Sequence, residues 1–374
     1  PNNFFEIGMD VFIANGYANP SFLSELITNY DYEVLVHEIG HALGLKHPFE
    51  ASGENIAILS IYEDNTRNTA MSYDEELATF TGTHRPLDWM ALTKFYGVNS
   101  TYNAGDDTYE FSSSGGTFIV DGGGTDTITA YGKLNDVTID LRPGAHSHMG
   151  AKSNYITDTN QLTISHGSDI ENVVTGLGDD TVIGTDLGNV ISTGSGGDVI
   201  FAGGGSDTIN SGTGADRIDL SEIVQSQDIV TLDISSVNFG IDTIYGFAQG
   251  ASGDIFDISG ILGSFFELFP LVVSGSAPTA TFGGGILRVV GSNVSNASEL
   301  LGNFQLGGGF DTLSIENGEH ALIISAGTQA TGEDQYVFAA ESRGGEISVT
   351  QLAVLQGNNL DIDQWHADNF NFIA

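Results

Sequence analysis

The sequence predicts an α+β N-terminal region, then an all-β parallel β-roll, then a β-rich C-terminal region. Three observations carry this prediction: histidines at metal-ligand spacing on an amphipathic run, a nine-residue repeat of glycine, aspartate and aliphatic residues, and an extreme charge balance. The 374 residues include 49 Asp plus Glu against 10 Lys plus Arg, a formal net charge of −39, with 50 glycines and no cysteine. Such a charge repels phosphate, which excludes nucleic acid and anionic lipid as partners and favours cations. Apolar residues at 40% and aromatics at 10% are too many for a disordered acidic tail. Without cysteine there is no disulfide framework, so an exported chain needs another staple, and bound metal can serve. No apolar run approaches the roughly 20 residues that span a bilayer, so membrane insertion is not expected.

Residues 1–99 read as mixed α+β. Met9 to Ala14 has strand character, Tyr30 to Leu43 places apolar residues at helical spacing and stops at Gly44, and Pro86 to Tyr96 is a second helix opened by proline. Residues 100–260 hold 20 Asp against 3 Glu and 27 of the 50 glycines, the pairing of short carboxylates with tight turns. Residues 261–374 alternate apolar and polar residues between glycine turns, as in Ile286 to Gly291, and predict β-structure.

The chemistry of the first region lies in His37-Glu38-Ile39-Gly40-His41-Ala42-Leu43-Gly44-Leu45-Lys46-His47. Residues four apart share a helix face, so His37 and His41 can offer imidazole nitrogens to one ion at about 2.0–2.1 Å. Glu38 is offset around the helix and can reach a water molecule instead of the metal. Gly44 can adopt a left-handed conformation, end the helix and return His47 as a third ligand. Three neutral histidines with an open coordination position are the ligand set of a catalytic zinc ion. A surface histidine pair is the ordinary alternative for H-E-x-x-H alone, and the longer pattern with its glycine and third histidine disfavours it.

Beyond His47 comes Thr69-Ala70-Met71-Ser72-Tyr73. Together HEIGHALGLKHP, TAMSY and the later LDWMALTKFYGVN resemble the serralysin-type metzincin zinc metalloproteases. The resemblance implies His37, His41 and His47 as zinc ligands, Glu38 as general base, Met71 as the methionine of the turn beneath the site, and Tyr73 as the group that steadies the oxyanion. It also implies that Met9, Asp10, Val11 and Phe12 form an edge strand onto which a protein or peptide substrate adds through main-chain hydrogen bonds. Family catalytic domains have further strands and a long helix before that edge strand. The α+β region is therefore expected to be N-terminally incomplete, with the remainder of the catalytic domain as a possible partner.

The repeat runs from Thr175 in blocks of nine: TGLGDDTVI, GTDLGNVIS, TGSGGDVIF, AGGGSDTIN and SGTGADRID. Glycine holds the second and fourth positions at Gly176, Gly178, Gly194, Gly196, Gly203, Gly205, Gly212 and Gly214. Asp180, Asp198, Asp207 and Asp216 hold the sixth, with Asn189 in the second block, and an aliphatic residue holds the eighth. Glycine turns present carbonyl oxygens, aspartate adds a hard anionic oxygen, and such oxygen sets suit Ca²⁺. The pattern matches the calcium-binding β-roll of repeats-in-toxin (RTX) proteins. Consecutive turns fall on alternate sides, so Asp180, Asp198 and Asp216 are expected on one side. Asp207 and Asn189 face the other, where the site should be weaker or absent. Asp126, in an isolated GGGTD turn, is expected to bind calcium as well.

The pair His146 and His148 is read as part of a solvated loop, and Asp106-Asp107 as part of a turn. The last residues, Asp361 to Ala374, resemble an uncleaved signal for the type I secretion machinery. The leading expectation is a secreted, extracellular zinc endopeptidase stabilised by several calcium ions. The alternative is a noncatalytic calcium-dependent surface or matrix protein that retains a protease-derived segment.

Overall fold

The computed structural model describes residues 29–51, 56–74, 84–232, 240–249 and 252–257, and beyond these 271–274, 280–282, 285–290, 298, 313–315, 320–326, 334–343, 346–356 and 369–371. The expected edge strand at Met9 to Phe12 lies outside the described residues, as does most of the expected secretion signal. The chain divides into two compact units that interleave in sequence: residues 1–126 with 142–169, and residues 127–141 with 170–374. This division does not follow the compositional steps at 99 and 260.

In the first unit, helix α1 (Asn29–Ala42) carries the histidine motif and helix α2 (Pro86–Tyr96) packs nearby. Gly44 ends α1 with φ +92°, a conformation open to glycine at little cost, and the Leu45 N–H then donates to the Gly40 carbonyl at 2.9 Å. The Tyr96 hydroxyl donates to the Leu43 carbonyl at 2.9 Å, which satisfies a helix-end acceptor. Pro86 opens α2 behind Arg85, whose N–H donates to Asp88 at 2.8 Å, and Gly97 closes it. Leu45, Met71 and Leu92 form a small buried cluster with Leu43 and Ala91 against it.

Strands are numbered along the chain: β1 (Thr108–Glu110), β2 (Thr117–Ile119), β3 (Thr127–Thr129), β4 (Val137–Asp140), β5 (His146–Met149), β6 (Gln161–Ile164), β7 (Asn172–Val174) and β8 (Thr181–Ile183). They continue as β9 (Val190–Ser192), β10 (Val199–Phe201), β11 (Thr208–Asn210), β12 (Arg217–Asp219), β13 (Ile229–Thr231), β14 (Asp242–Tyr245) and β15 (Ile255–Asp257). In the first unit β2 pairs parallel and β5 antiparallel with β6. His146 and His148 therefore lie on a strand, not in a solvated loop. The pattern is polar, but Ser147 between them is fully buried, and pairing to β6 overrides the composition.

The second unit is built on a parallel β-roll. One sheet runs β3-β7-β9-β11-β13-β15 and the other β4-β8-β10-β12-β14, which continues into the strand Glu346–Gln356. The eighth-position aliphatic of each repeat pairs in register with that of the turn eighteen residues on: Val182 with Ile200 and Ile200 with Ile218, and Ile191 with Ile209. Each of these side chains is fully buried, as are Val230, Ile244 and Phe256 where the roll runs past the last repeat. At roughly 1.5–3 kcal/mol for each buried aliphatic side chain, this thin double row is the apolar stabilisation of the roll. Beyond it, Gln335–Arg343 pairs antiparallel with both His320–Ala326 and Glu346–Gln356, so the C-terminal region is β-rich as expected.

Candidate metal centres

The histidine motif folds into a centre whose outer nitrogens are tied down. His37 Nδ1 lies 2.8 Å from the Ala70 carbonyl and His41 Nδ1 lies 2.9 Å from the Leu45 carbonyl. A carbonyl only accepts, so both Nδ1 atoms carry the proton and both Nε2 atoms present lone pairs. Those Nε2 atoms lie 3.2 Å and 3.1 Å from His47 Nε2, while His47 Nδ1 faces the Glu50 carboxylate at 3.2 Å. Converging lone pairs repel unless a cation lies among them, and three imidazoles, two of them with tautomers fixed by carbonyls, suit zinc. The donor set therefore fits the ion.

Met71 is buried to 2% exposure, and a Cβ on Gly40 would lie 2.5 Å from its sulfur. Glycine inside α1 costs helix stability of roughly 1 kcal/mol relative to alanine and here makes room for the thioether. Tyr73 is 65% exposed, stacks on the His37 ring and donates its hydroxyl hydrogen to His47 Nε2 at 2.8 Å. Glu38 is exposed on α1 between the two helical histidines. Lys46 fastens the segment after the motif through the carbonyls of Glu50 and Ala57, at 2.7 and 2.6 Å.

Asp88, which the sequence reading passed over, braces this turn. It is buried and accepts from the Thr69 hydroxyl at 2.6 Å and from the N–H groups of Ala70 and Arg85, both at 2.8 Å. Ala70 in turn holds His37 through its carbonyl. Arg85 extends the brace to α1 by an ion pair with Glu33 at 2.8 Å.

In the roll, the sixth-position residues form two ladders. Asp180 N–H donates to Asp198 Oδ1, Asp198 N–H to Asp216 Oδ1 and Asp216 N–H to Asp242 Oδ1, at 2.8, 2.9 and 3.1 Å. On the other side the order is Asn189, Asp207, Asp228 and Asp254, at 2.7, 2.9 and 3.0 Å. Asp228, Asp242 and Asp254 were not anticipated from the repeat. The glycines stack as tightly: a Cβ on Gly194 or Gly212 would run into the carbonyl oxygen of Gly176 or Gly194, respectively. The turns of Gly178, Gly196 and Gly214 stack in the same way, and Gly203 lies against the Thr185 carbonyl and Gly205 against Leu187.

The ladders leave negative oxygen without a donor. The Oδ2 atoms of Asp198, Asp207 and Asp216 are buried and accept no hydrogen bond, and the Thr193 hydroxyl beside Asp198 spends its hydrogen on the Ser211 carbonyl. Burial pushes Asp198 up to about 7, and burial with the charges of Asp228, Glu222 and Asp254 pushes Asp207 up to about 8. Burial likewise raises Asp216, and raises Asp242 to about 8 and Asp254 to about 7. Buried carboxylate oxygen beside glycine-turn carbonyls is a donor set that fits calcium.

A separate acidic group forms in the first unit, where carboxylate oxygens of Asp107, Asp121 and Asp126 lie within 4.8 Å of one another. Asp126 was anticipated; Asp107 and Asp121 were not. Asp126 Oδ1 accepts from the Asp107 N–H at 2.7 Å, and Asp121 accepts from the Tyr109 hydroxyl, whose pKa burial and that bond raise. His146, by contrast, hydrogen-bonds Thr163 and Gln161, and burial lowers its pKa.

Comparison with known proteins agrees with both halves. Residues 10–81 match the M12B reprolysin-like metallopeptidase model, and residues 90–241 match the model of the serralysin C terminus of peptidase family M10. Among curated relatives, serralysin of Proteus mirabilis is 35% identical over 188 residues, 44% of this chain and 37% of the relative. Serralysin B of Dickeya chrysanthemi is 37% identical over 183 residues, 41% and 36% of the two chains. Metallopeptidase AprA of Pseudomonas marginalis is 32% identical over 213 residues, 49% and 43%. The chain thus spans about two fifths of the length of these relatives. With three histidines gathered beside a buried methionine and a parallel roll of aspartate turns, the chain is similar in its first segment to a metallopeptidase and in its second to the serralysin C terminus of peptidase family M10.

Proposed function

We propose that the protein is a secreted zinc endopeptidase that hydrolyses peptide bonds in extracellular proteins and is held folded by calcium in its roll. The observation that carries this reading is the convergence of the His37 and His41 Nε2 atoms to within 3.2 Å of His47 Nε2, each proton-bearing Nδ1 of α1 turned outward to a carbonyl. His37, His41 and His47 would hold the zinc ion, which supplies Lewis-acid chemistry toward a carbonyl and acidifies water. Glu38, exposed beside the histidines, takes the proton from the attacking water and delivers it to the leaving amine. Tyr73 has one hydroxyl hydrogen to give, and on leaving His47 it donates that hydrogen to the oxyanion of the tetrahedral intermediate. Asp180, Asp198, Asp207 and Asp216 with the glycine-turn carbonyls would hold calcium, and Asp126 with Asp107 and Asp121 a further ion. Export through type I secretion machinery follows the resemblance of the terminal residues. Among the described residues no helix is long and apolar enough to cross a membrane.

Glu38→Ala is expected to lower casein cleavage by about 10²–10⁴-fold while the zinc content per chain stays the same. Unchanged cleavage in that variant sinks the role given to Glu38. Zinc-loaded protein that cleaves no peptide leaves the noncatalytic calcium-dependent alternative in its place.

A further inference from the structure

We propose that Glu222, which lies outside the nine-residue repeats, completes a calcium site with Asp207 across two stacked turns of the roll. The inference rests on the calcium reading of the roll and adds a ligand that the repeat does not contain.

Counting nine residues from Asp216 arrives at Gln225, an amide, so the repeat ends without another acid in register. The structure reaches the same place by another route. The turn at residues 203–207 stacks on the loop at 221–228, because Asp207 N–H donates to Asp228 Oδ1 at 2.9 Å and Thr208 pairs with Ile229. From that loop Glu222 leans back over the glycine turn: a Cβ on Gly204 would lie 3.9 Å from Glu222 Oε2.

The two oxygens of Glu222 are used differently. Oε1 accepts from the Ser226 N–H and from Gln225 Nε2, which fixes the carboxylate in the loop. Oε2 is buried and accepts nothing. On the facing turn Asp207 is 1% exposed and its Oδ2 is likewise buried without a donor. Neither residue has an ion-pair partner among the described residues. Two donorless carboxylate oxygens on adjacent turns, beside the glycine turn of Gly204, form a hard, doubly negative oxygen set. That set selects Ca²⁺ over softer or more strictly octahedral ions. Glutamate is one carbon longer than aspartate, and this length lets a residue outside the repeat reach a site that register denies to Gln225.

The test counts ions on the full 374-residue chain by equilibrium dialysis with Ca²⁺, with affinities from terbium luminescence. Glu222→Gln keeps the side-chain length and the acceptor for Ser226 but removes the charge. It is expected to bind one fewer ion, or to bind one ion at least tenfold more weakly, with the circular dichroism at saturating calcium unchanged. Asp207→Asn should remove the same ion, and the double variant should lose no more than either single one. Equal ion counts and affinities in the wild type and Glu222→Gln overturn the proposal. So do additive losses in the double variant, or a loss of β-structure with the ion count intact, which marks Glu222 as a loop cap only. A wild-type chain that binds no calcium overturns the calcium reading of the whole roll along with it.

Discussion

The histidine centre and the aspartate ladders both gather ligands by backbone hydrogen bonds, yet they leave different things unsatisfied. At the centre, the bonds of His37 to Ala70 and of His41 to Leu45 fix neutral rings, and what remains facing inward is a set of lone pairs. In the ladders, one oxygen of Asp198, Asp207 and Asp216 takes the N–H of the neighbouring turn and the other is left buried without a donor. A neutral imidazole can wait for its metal at modest cost, whereas a buried carboxylate without a partner opposes folding. Asp88 sharpens the contrast, because it too is a buried carboxylate but has three donors. On the proposed reading the first arrangement is organised by the protein before its ion binds, whereas the second would depend on its ion to fold.

The largest expected effect follows from that difference. Chelating calcium at about pH 8 should abolish the β-structure of residues 170–220 in far-ultraviolet circular dichroism. A spectrum indifferent to calcium breaks the comparison. The pH dependence of the calcium-free chain has a definite sign. Burial holds Asp198, Asp242 and Asp254 at about 7, 8 and 7, above the ordinary aspartate value of 3.8. Between those values the folded chain keeps protons that the unfolded chain releases, so calcium-free stability is highest at the acidic end and falls as pH rises through the window. Acidifying the calcium-free protein to about pH 5 should restore part of the β-signal. With calcium present the trend reverses, since protons compete with the ion for the same oxygens.

Asp88→Asn probes the opposite kind of carboxylate and should have the next largest effect. The amide keeps one acceptor oxygen where Asp88 offers two, so one of Thr69, Ala70 and Arg85 loses its partner and the turn under His37 loosens. Support of this kind for a ligand is worth about 10–100-fold in metal affinity. Zinc affinity measured against a competing chelator should fall by that factor, equally with and without calcium. Unchanged affinity would mean that the Ala70 carbonyl positions His37 without help from Asp88.

What could be read in the sequence was what is local in the chain. The α1 face, the stop at Gly44 and the alternation of repeat turns all depend on near neighbours, and each was legible; Met71 came only with the family resemblance. Asp88 was in plain view in the second helix, but its role exists only once the turn of Thr69 and Ala70 comes within reach. Asp228, Asp242 and Asp254 were hidden for another reason. Their spacings along the ladders are 21, 26 and 26 residues in place of 18, because loops are inserted between turns. The period is lost while the register survives, since β13, β14 and β15 still pair in parallel on the turns before them. A count of nines stops at the first insertion, but the hydrogen bonds pass over it. The histidines of β5 were missed as strand because their alternation is polar on both faces, and only pairing to β6 decides it.

Asp198→Asn carries the smallest expected effect and the most diagnostic sign. The roll already contains this substitution, since Asn189 holds a sixth position and its Oδ1 still accepts the Thr185 N–H at 2.8 Å. Its Nδ2 donates to the Glu171 carbonyl at 3.0 Å, so nothing buried is left charged. Asparagine at 198 keeps the acceptor for the Asp180 N–H and removes the donorless anionic oxygen. In calcium the variant should lose a ligand and melt a few degrees lower, roughly what 1 kcal/mol shifts in a domain of this size. In calcium-free buffer at pH 8 it should be the more stable of the two, because a carboxylate held at about 7 by burial is then charged at a cost. Parallel thermal melts decide it. A variant that is weaker under both conditions would mean that Asp198 serves as a backbone cap like Asp88, and the distinction between the two regions would fail at that residue.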